Sequence, residues 1–62
     1  MILYLHKSIN GYYDITTKEN YCFLGILFNN GFVERVSNNF PIKILYKRLV
    51  KEYNCKKLIL KF

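Results

Sequence analysis

An amphipathic pattern over residues 41–54 constrains the fold more than any other feature of this chain. Apolar side chains recur there every three or four residues, at Ile42, Leu45, Tyr46, Leu49, Val50 and Tyr53. This spacing is that of a helix with one apolar face. Pro41 suits a first helical turn, where its missing N–H costs nothing, and Asn54 suits a left-handed residue that ends the helix. The pattern predicts a helix over about 41–54 with Leu45, Leu49 and Tyr53 facing a sheet.

Patterns typical of strands lie on both sides of this helix. Residues 2–9, 12–16 and 32–36 read as strands before it, and residues 57–62 read as a strand after it. In the last segment Leu58, Leu60 and Phe62 fall on one side, and Lys57, Ile59 and Lys61 fall on the other, as strand alternation requires. We therefore expect the helix to pack on a sheet that contains both ends of the chain.

The dipeptide Asn10-Gly11 predicts a hairpin between the first two strands, because a two-residue turn needs positive φ at both of its central positions. In that register Lys7 lies opposite Asp14, and facing opposite charges stabilise a strand pair. The same register places His6 on the other face of the sheet from Asp14, so no proton relay joins the two side chains.

Residues 17–30 fit two secondary structures. The capping box at its start and Asn30-Gly31 at its end favour a helix, whereas the apolar run at 21–28 has the length of a buried strand. We predict the strand, which gives an α+β fold: a small antiparallel-rich sheet, in the order β-β-β-β-α-β, with the helix on one face. A helix over 17–30 would give β-β-α-β-α-β instead.

The 62 residues suffice for one small domain, which buries only about 60% of its unfolded surface and is marginally stable without help. The start of the chain does not read as a secretory signal, and the longest apolar run is too short to span a bilayer. These features predict a cytoplasmic protein in which Cys22 and Cys55 are reduced, buried thiols.

Residues suited to catalysis or metal binding are sparse. His6 is the single histidine, and the four carboxylates form no adjacent pair. His6, Cys22 and Cys55 lack the closely spaced ligand pair of a zinc site, and the three glycines stand singly rather than in a phosphate-binding loop. The sequence predicts no enzyme, no catalytic residue, no metal and no cofactor.

Positive charge is concentrated at the C-terminal end. Residues 1–39 carry three basic and three acidic side chains, whereas residues 40–62 carry seven basic and one acidic, which accounts for the net charge of +6. Like charges four apart on a helix repel, so this arrangement weakens the helix slightly, while an anionic partner would favour it. The predicted ligand-binding residues are Lys43, Lys47, Arg48, Lys51, Lys56, Lys57 and Lys61.

Apolar and aromatic side chains suggest a second surface, because one helix covers only one face of a sheet. The predicted interface residues are Ile44, which lies among the helix cations, and Tyr4, Tyr12, Tyr13 and Tyr21. A homodimer that buries the second face of residues 21–28 is the expected assembly. The expected function is non-enzymatic binding of a nucleic acid or nucleotide. The alternative is an inhibitor or adaptor, of the phage or mobile-element type, that docks on a host protein.

Overall fold

The computed structural model describes residues 1–8, 10–20 and 31–62. Its elements are β1 (Ile2–Lys7), β2 (Tyr12–Thr16), β3 (Phe32–Ser37), α1 (Ile42–Tyr53) and β4 (Lys57–Lys61). The strands form a mixed sheet in the order β3-β2-β1-β4, in which β1 is antiparallel to β2 and parallel to β4. The α+β prediction is confirmed. The choice between strand and helix within 17–30 concerns residues 21–30, which lie outside the described residues.

Helix α1 joins the two edges of this sheet, because β3 lies at one edge and β4 at the other. The connection must therefore cross the whole sheet face. A helix of 12 residues is about 18 Å long, and four strands span roughly 14 Å. The length of α1 thus matches the width that it crosses, and β4 is delivered beside β1 at the far edge.

The core lies between α1 and the sheet face beneath it. Leu45 and Leu49 are completely buried there, and they belong to one cluster with Leu3, Leu5 and Ile15. Tyr53 is half-buried against the same cluster. The predicted sheet-facing side of the helix is confirmed, because the apolar residues at helical spacing meet those at alternate positions of β1 and β2.

The residues at the two ends of α1 explain where the helix begins and ends. Pro41 precedes the first turn in an extended conformation (φ −62°, ψ 127°), and its carbonyl accepts the Leu45 N–H at 3.0 Å. Asn54 has φ 54°, and its N–H donates to the Val50 carbonyl at 3.1 Å. Asparagine tolerates this left-handed conformation, so the predicted stop is confirmed.

The predicted register of the first hairpin is wrong by one residue. His6 lies opposite Asp14 and Lys7 opposite Tyr13, while the Ser8 N–H donates to the Tyr12 carbonyl at 2.8 Å. Three residues therefore separate the paired positions, and Gly11, the last of them, has φ 81°. A three-residue loop that ends in a left-handed glycine is the other common hairpin connection, so the same Asn-Gly dipeptide suits both.

This shift changes which side chains share a face. Leu5 and Ile15 point toward α1, so His6 and Asp14 both project from the opposite face of the sheet. The expectation that these two side chains lie on different faces is corrected accordingly.

Candidate binding groove

An open groove of about 410 Å³ runs between α1 and β4. Its apolar lining comes from Ile42 and Tyr46 on the helix and from Leu58 and Leu60 on the strand. Leu60 is 48% exposed and Tyr46 is 38% exposed, so apolar surface remains open to solvent here. The groove exists because β4 is the last strand of the described sheet and the helix side of its outer edge is left partly uncovered.

Three lysines also line the groove. Lys43 comes from the first turn of α1, Lys57 is the first residue of β4, and Lys56 immediately precedes that strand. All three are exposed, and none of them forms an ion pair in the part of the chain that the structure describes. Lys43 also lies where the positive end of the helix dipole disfavours a cation. The fold thus brings Lys43 of the helix to the same groove as the adjacent Lys56 and Lys57, and none of the three has a carboxylate partner among the described residues.

The remaining helix cations divide into two kinds. Lys47 and Lys51 are exposed on α1 and extend the basic surface away from the groove. Arg48 instead donates hydrogen bonds to the carboxylates of Glu34 (2.8 Å) and Glu52 (3.2 Å). The hydrogen bond to Glu34 raises the pKa of Arg48 above its ordinary value. Arg48 therefore ties α1 to β3, and its charge is largely compensated.

Lys61, like Arg48, has a carboxylate neighbour, which the groove lysines lack among the described residues. It lies at the far end of β4, and its ammonium is 3.4 Å from a carboxylate oxygen of Glu19. This exposed contact is weak, yet it supplies a local counter-charge that Lys56 and Lys57 lack among the described residues. Of the seven predicted ligand-binding residues, the structure gathers three around the groove.

The predicted interface residues that the structure describes lie on different surfaces. Ile44 is 55% exposed on α1. Tyr4 and Tyr12 project from the sheet face opposite the helix, whereas Tyr13 lies on the helix side and stacks on Phe62 with 5.7 Å between ring centroids. Tyr21 lies outside the described residues. Among the described tyrosines of this set, Tyr4 and Tyr12 thus share the face opposite α1, and Tyr13 lies on the other face.

A polar cluster on the opposite sheet face was missed by the sequence reasoning. Arg35 donates to both carboxylate oxygens of Asp14, at 2.6 and 3.2 Å, and Asp14 is 4% exposed. Nearby, His6 Nε2 is 2.9 Å from the hydroxyl of the buried Thr16. Burial lowers the pKa of His6, an effect that the Lys18 carbonyl and Asp14 oppose. The correct hairpin register would have placed His6 opposite Asp14, and the pairing of β2 with β3 adds Arg35 opposite Asp14.

The described residues were also compared with the requirements of a metal site and of a membrane-spanning helix. Within the described ranges, no three histidine, cysteine, aspartate or glutamate side chains come together as a metal site would require. No helix in the same part of the chain is both long enough and apolar enough to cross a membrane. Comparisons with models of protein families, with curated proteins and with solved structures found no match.

Proposed function

We propose that this chain is a small non-enzymatic binding protein that holds an anionic partner in the groove between α1 and β4. The observation that carries the proposal is the convergence of Lys43, Lys56 and Lys57 on one partly apolar groove. Clustered charge of one sign raises the electrostatic potential and attracts a partner of the opposite sign. The apolar lining adds a hydrophobic contribution that a purely ionic surface lacks.

The seven basic residues predicted to bind the partner do not contribute equally. Lys43, Lys56 and Lys57 contact the partner directly, while Lys47 and Lys51 add long-range attraction from the neighbouring helix surface. Arg48 and Lys61 contribute less, because their charges already have carboxylate neighbours. Replacing Arg48 would also disturb the packing of α1 on β3, so it is unsuited to testing the binding surface.

Two chemical classes of anionic partner suit the groove. Aliphatic surface from Ile42, Leu58 and Leu60 favours an acidic segment of another protein, since apolar side chains of that segment can bury it. A nucleic acid is the second candidate, because Lys47 and Lys51 continue the positive surface along the helix and Tyr46 offers one ring for stacking. The first class corresponds to a docking inhibitor or adaptor, and the second to a nucleic-acid-binding protein.

Affinity for defined anionic probes tests the proposal. The probes are a single-stranded oligonucleotide, a double-stranded oligonucleotide and poly-glutamate, each titrated at low and at moderate salt. The groove variant is Lys56→Gln/Lys57→Gln, and the control with the same change in charge is Lys47→Gln/Lys51→Gln. All four lysines are exposed, so neither variant removes buried contacts.

We expect at least one probe to bind the wild type, with affinity that falls as salt rises, and the groove variant to lose more affinity than the control. If that probe is a nucleic acid, each groove lysine should change the slope of log affinity against log salt by about one. Failure of every probe to bind at low salt, or equal losses in the two variants, would contradict the proposal.

Two further expectations accompany this function. A cytoplasmic location is proposed because Cys55 is a free thiol buried in the core, as is usual in a reducing compartment. The homodimer expected from residues 21–28 concerns residues outside the described part of the chain, and it stays a prediction.

A further inference from the structure

Among the described residues, no strand pairs with the outer edge of β4. In the part of the chain that the structure describes, β4 pairs with β1 alone. About half of its backbone N–H and C=O groups consequently point away from the sheet. An extended peptide satisfies such groups by adding as a further strand, whereas a nucleic acid offers few donors to the outward carbonyls.

The groove lies along this edge on the helix side. Leu58 and Leu60 project toward α1 from alternate positions of β4, and Ile42 and Tyr46 face them from the helix. In a strand added to β4, every second side chain would point to this same side. Apolar side chains at those positions would cover the exposed surface of Leu60 and Tyr46.

The lysines along this edge favour acidic side chains at those positions of an added strand that do not face α1. Lys57 points to the opposite sheet face from Leu58, and Lys43 and Lys56 stand at the groove. Carboxylates at the alternate positions of the added strand would point to the same sheet face as Lys57 and lie beside it. A second copy of this chain would bring a net charge of +6 and the same lysines, which disfavours pairing of two β4 edges.

We propose that β4 binds, as an added strand, an extended segment of a partner protein in which acidic residues alternate with apolar ones. This inference rests on the proposed function and names the partner for the same groove. The apolar residues of the segment face α1 and pack on the groove. Its carboxylates lie beside Lys57 on the other sheet face, and its backbone completes the hydrogen bonds of β4.

The test uses a capped peptide of alternating valine and glutamate, long enough to pair with all five residues of β4. Two modified versions carry N-methyl groups either on every valine or on every glutamate. Backbone N–H groups alternate in direction along a strand, so only one of these series points at β4 in a given orientation. The other series faces solvent and serves as the matched control.

We expect the unmodified peptide to bind. One of the two methylated peptides should bind about tenfold more weakly, or weaker still, because it loses hydrogen bonds to β4. The other methylated peptide should bind nearly as well as the unmodified one. Lys57→Glu should weaken binding of the unmodified peptide more than Lys47→Glu, which makes the same change in charge outside the groove. Circular dichroism checks that both variants keep the wild-type fold.

Equal affinity of all three peptides would overturn the added strand while leaving an electrostatic groove, and thus the proposed function, intact. Binding of a single-stranded oligonucleotide but not of the peptide would overturn the inference in favour of a nucleic acid partner. Failure of the peptide, the oligonucleotide and poly-glutamate together would overturn the proposed function itself.

Discussion

Arginine and lysine have different tasks at the residue scale. Arg35 holds the buried carboxylate of Asp14 with two hydrogen bonds, and Arg48 joins α1 to Glu34 on β3. A planar guanidinium that donates along fixed directions suits such pairs. Lys61 has a weak contact with Glu19, but Lys43, Lys56 and Lys57 form no ion pair among the described residues, which leaves them available for a partner.

Replacing Arg48 should therefore destabilise the fold, whereas replacing its neighbour should not. Arg48→Met removes the hydrogen bond to Glu34, a carboxylate whose side chain is 27% exposed, and should lower the free energy of unfolding by about 1 kcal/mol. Lys47→Met is the control and should change it by less than about 0.5 kcal/mol. Urea unfolding curves measure both, and equal values would show that the Arg48 pair does not hold α1 to the sheet.

Truncating Leu49 should be far more damaging than truncating the residue beside it. Leu49 is completely buried, and Leu49→Ala should cost about 2–5 kcal/mol through lost contacts and the cavity left behind. That loss would unfold much of a domain this small. Val50 is 41% exposed, so Val50→Ala should shift the thermal midpoint only slightly. A small shift for Leu49→Ala would mean that another helix face packs on the sheet.

The short connection between α1 and β4 shapes the site at the element scale. Asn54 ends the helix at φ 54°, and the Lys56 N–H then donates to the Met1 carbonyl at 2.7 Å, which starts the pairing of β4 beside β1. The turn thereby sets where Lys56 and Lys57 stand relative to α1. The geometry of the groove depends on this one left-handed residue.

Substitutions at Asn54 should separate backbone strain from loss of the side chain. Asn54→Ala places a β-carbon in the left-handed conformation without asparagine's tolerance of it, and should cost about 1 kcal/mol. Asn54→Gly loses the same side chain but adopts that conformation freely, so its thermal midpoint should stay near that of the wild type. A glycine variant as unstable as the alanine variant would show that the side chain, rather than φ, matters at this turn.

Local patterns and long-range pairing explain which elements could be predicted from the sequence. The helix and β4 could be predicted because the spacing of apolar residues that defines each one lies within a single continuous segment. Pro41 and Asn54 mark the helix ends. The hairpin register could not be decided, because Asn10-Gly11 suits loops of two and of three residues. The groove could not be predicted for another reason. Lys43 and Lys57 line it from different elements, and the parallel pairing of β4 with β1 that places them there is a long-range contact.

At the scale of the whole molecule, the two faces of the sheet are stabilised by different interactions. The helix side holds the apolar core. The other side buries Asp14 and Thr16, and hydrogen bonds compensate for the cost of burying them. His6 joins this polar side and lies near Asp14, Lys18 and Lys61, all of which act on its pKa. The stability of the molecule should consequently depend on the charge state of one histidine.

Acidification should destabilise the protein before its carboxylates titrate. Burial lowers the pKa of His6 below the ordinary value of 6.5, so below that pH the unfolded chain binds more protons than the folded one. The free energy of unfolding should then decrease as pH falls from about 7 to about 5. Thermal melts across this range measure the effect. His6→Gln should flatten the dependence, and parallel curves for the variant and the wild type would exclude His6 as its source.

Amide chemical-shift mapping tests the central claim most directly, because it reports on every described element in one titration. Poly-glutamate is added to isotope-labelled protein at low salt. The largest shift changes are expected at Lys43, Tyr46, Lys57 and Leu60, with Lys47 and Lys51 changing less and Tyr12, on the opposite face, staying nearly constant. Changes of equal size at all exposed lysines, or changes centred on the face that carries Tyr12, would contradict a binding groove between α1 and β4.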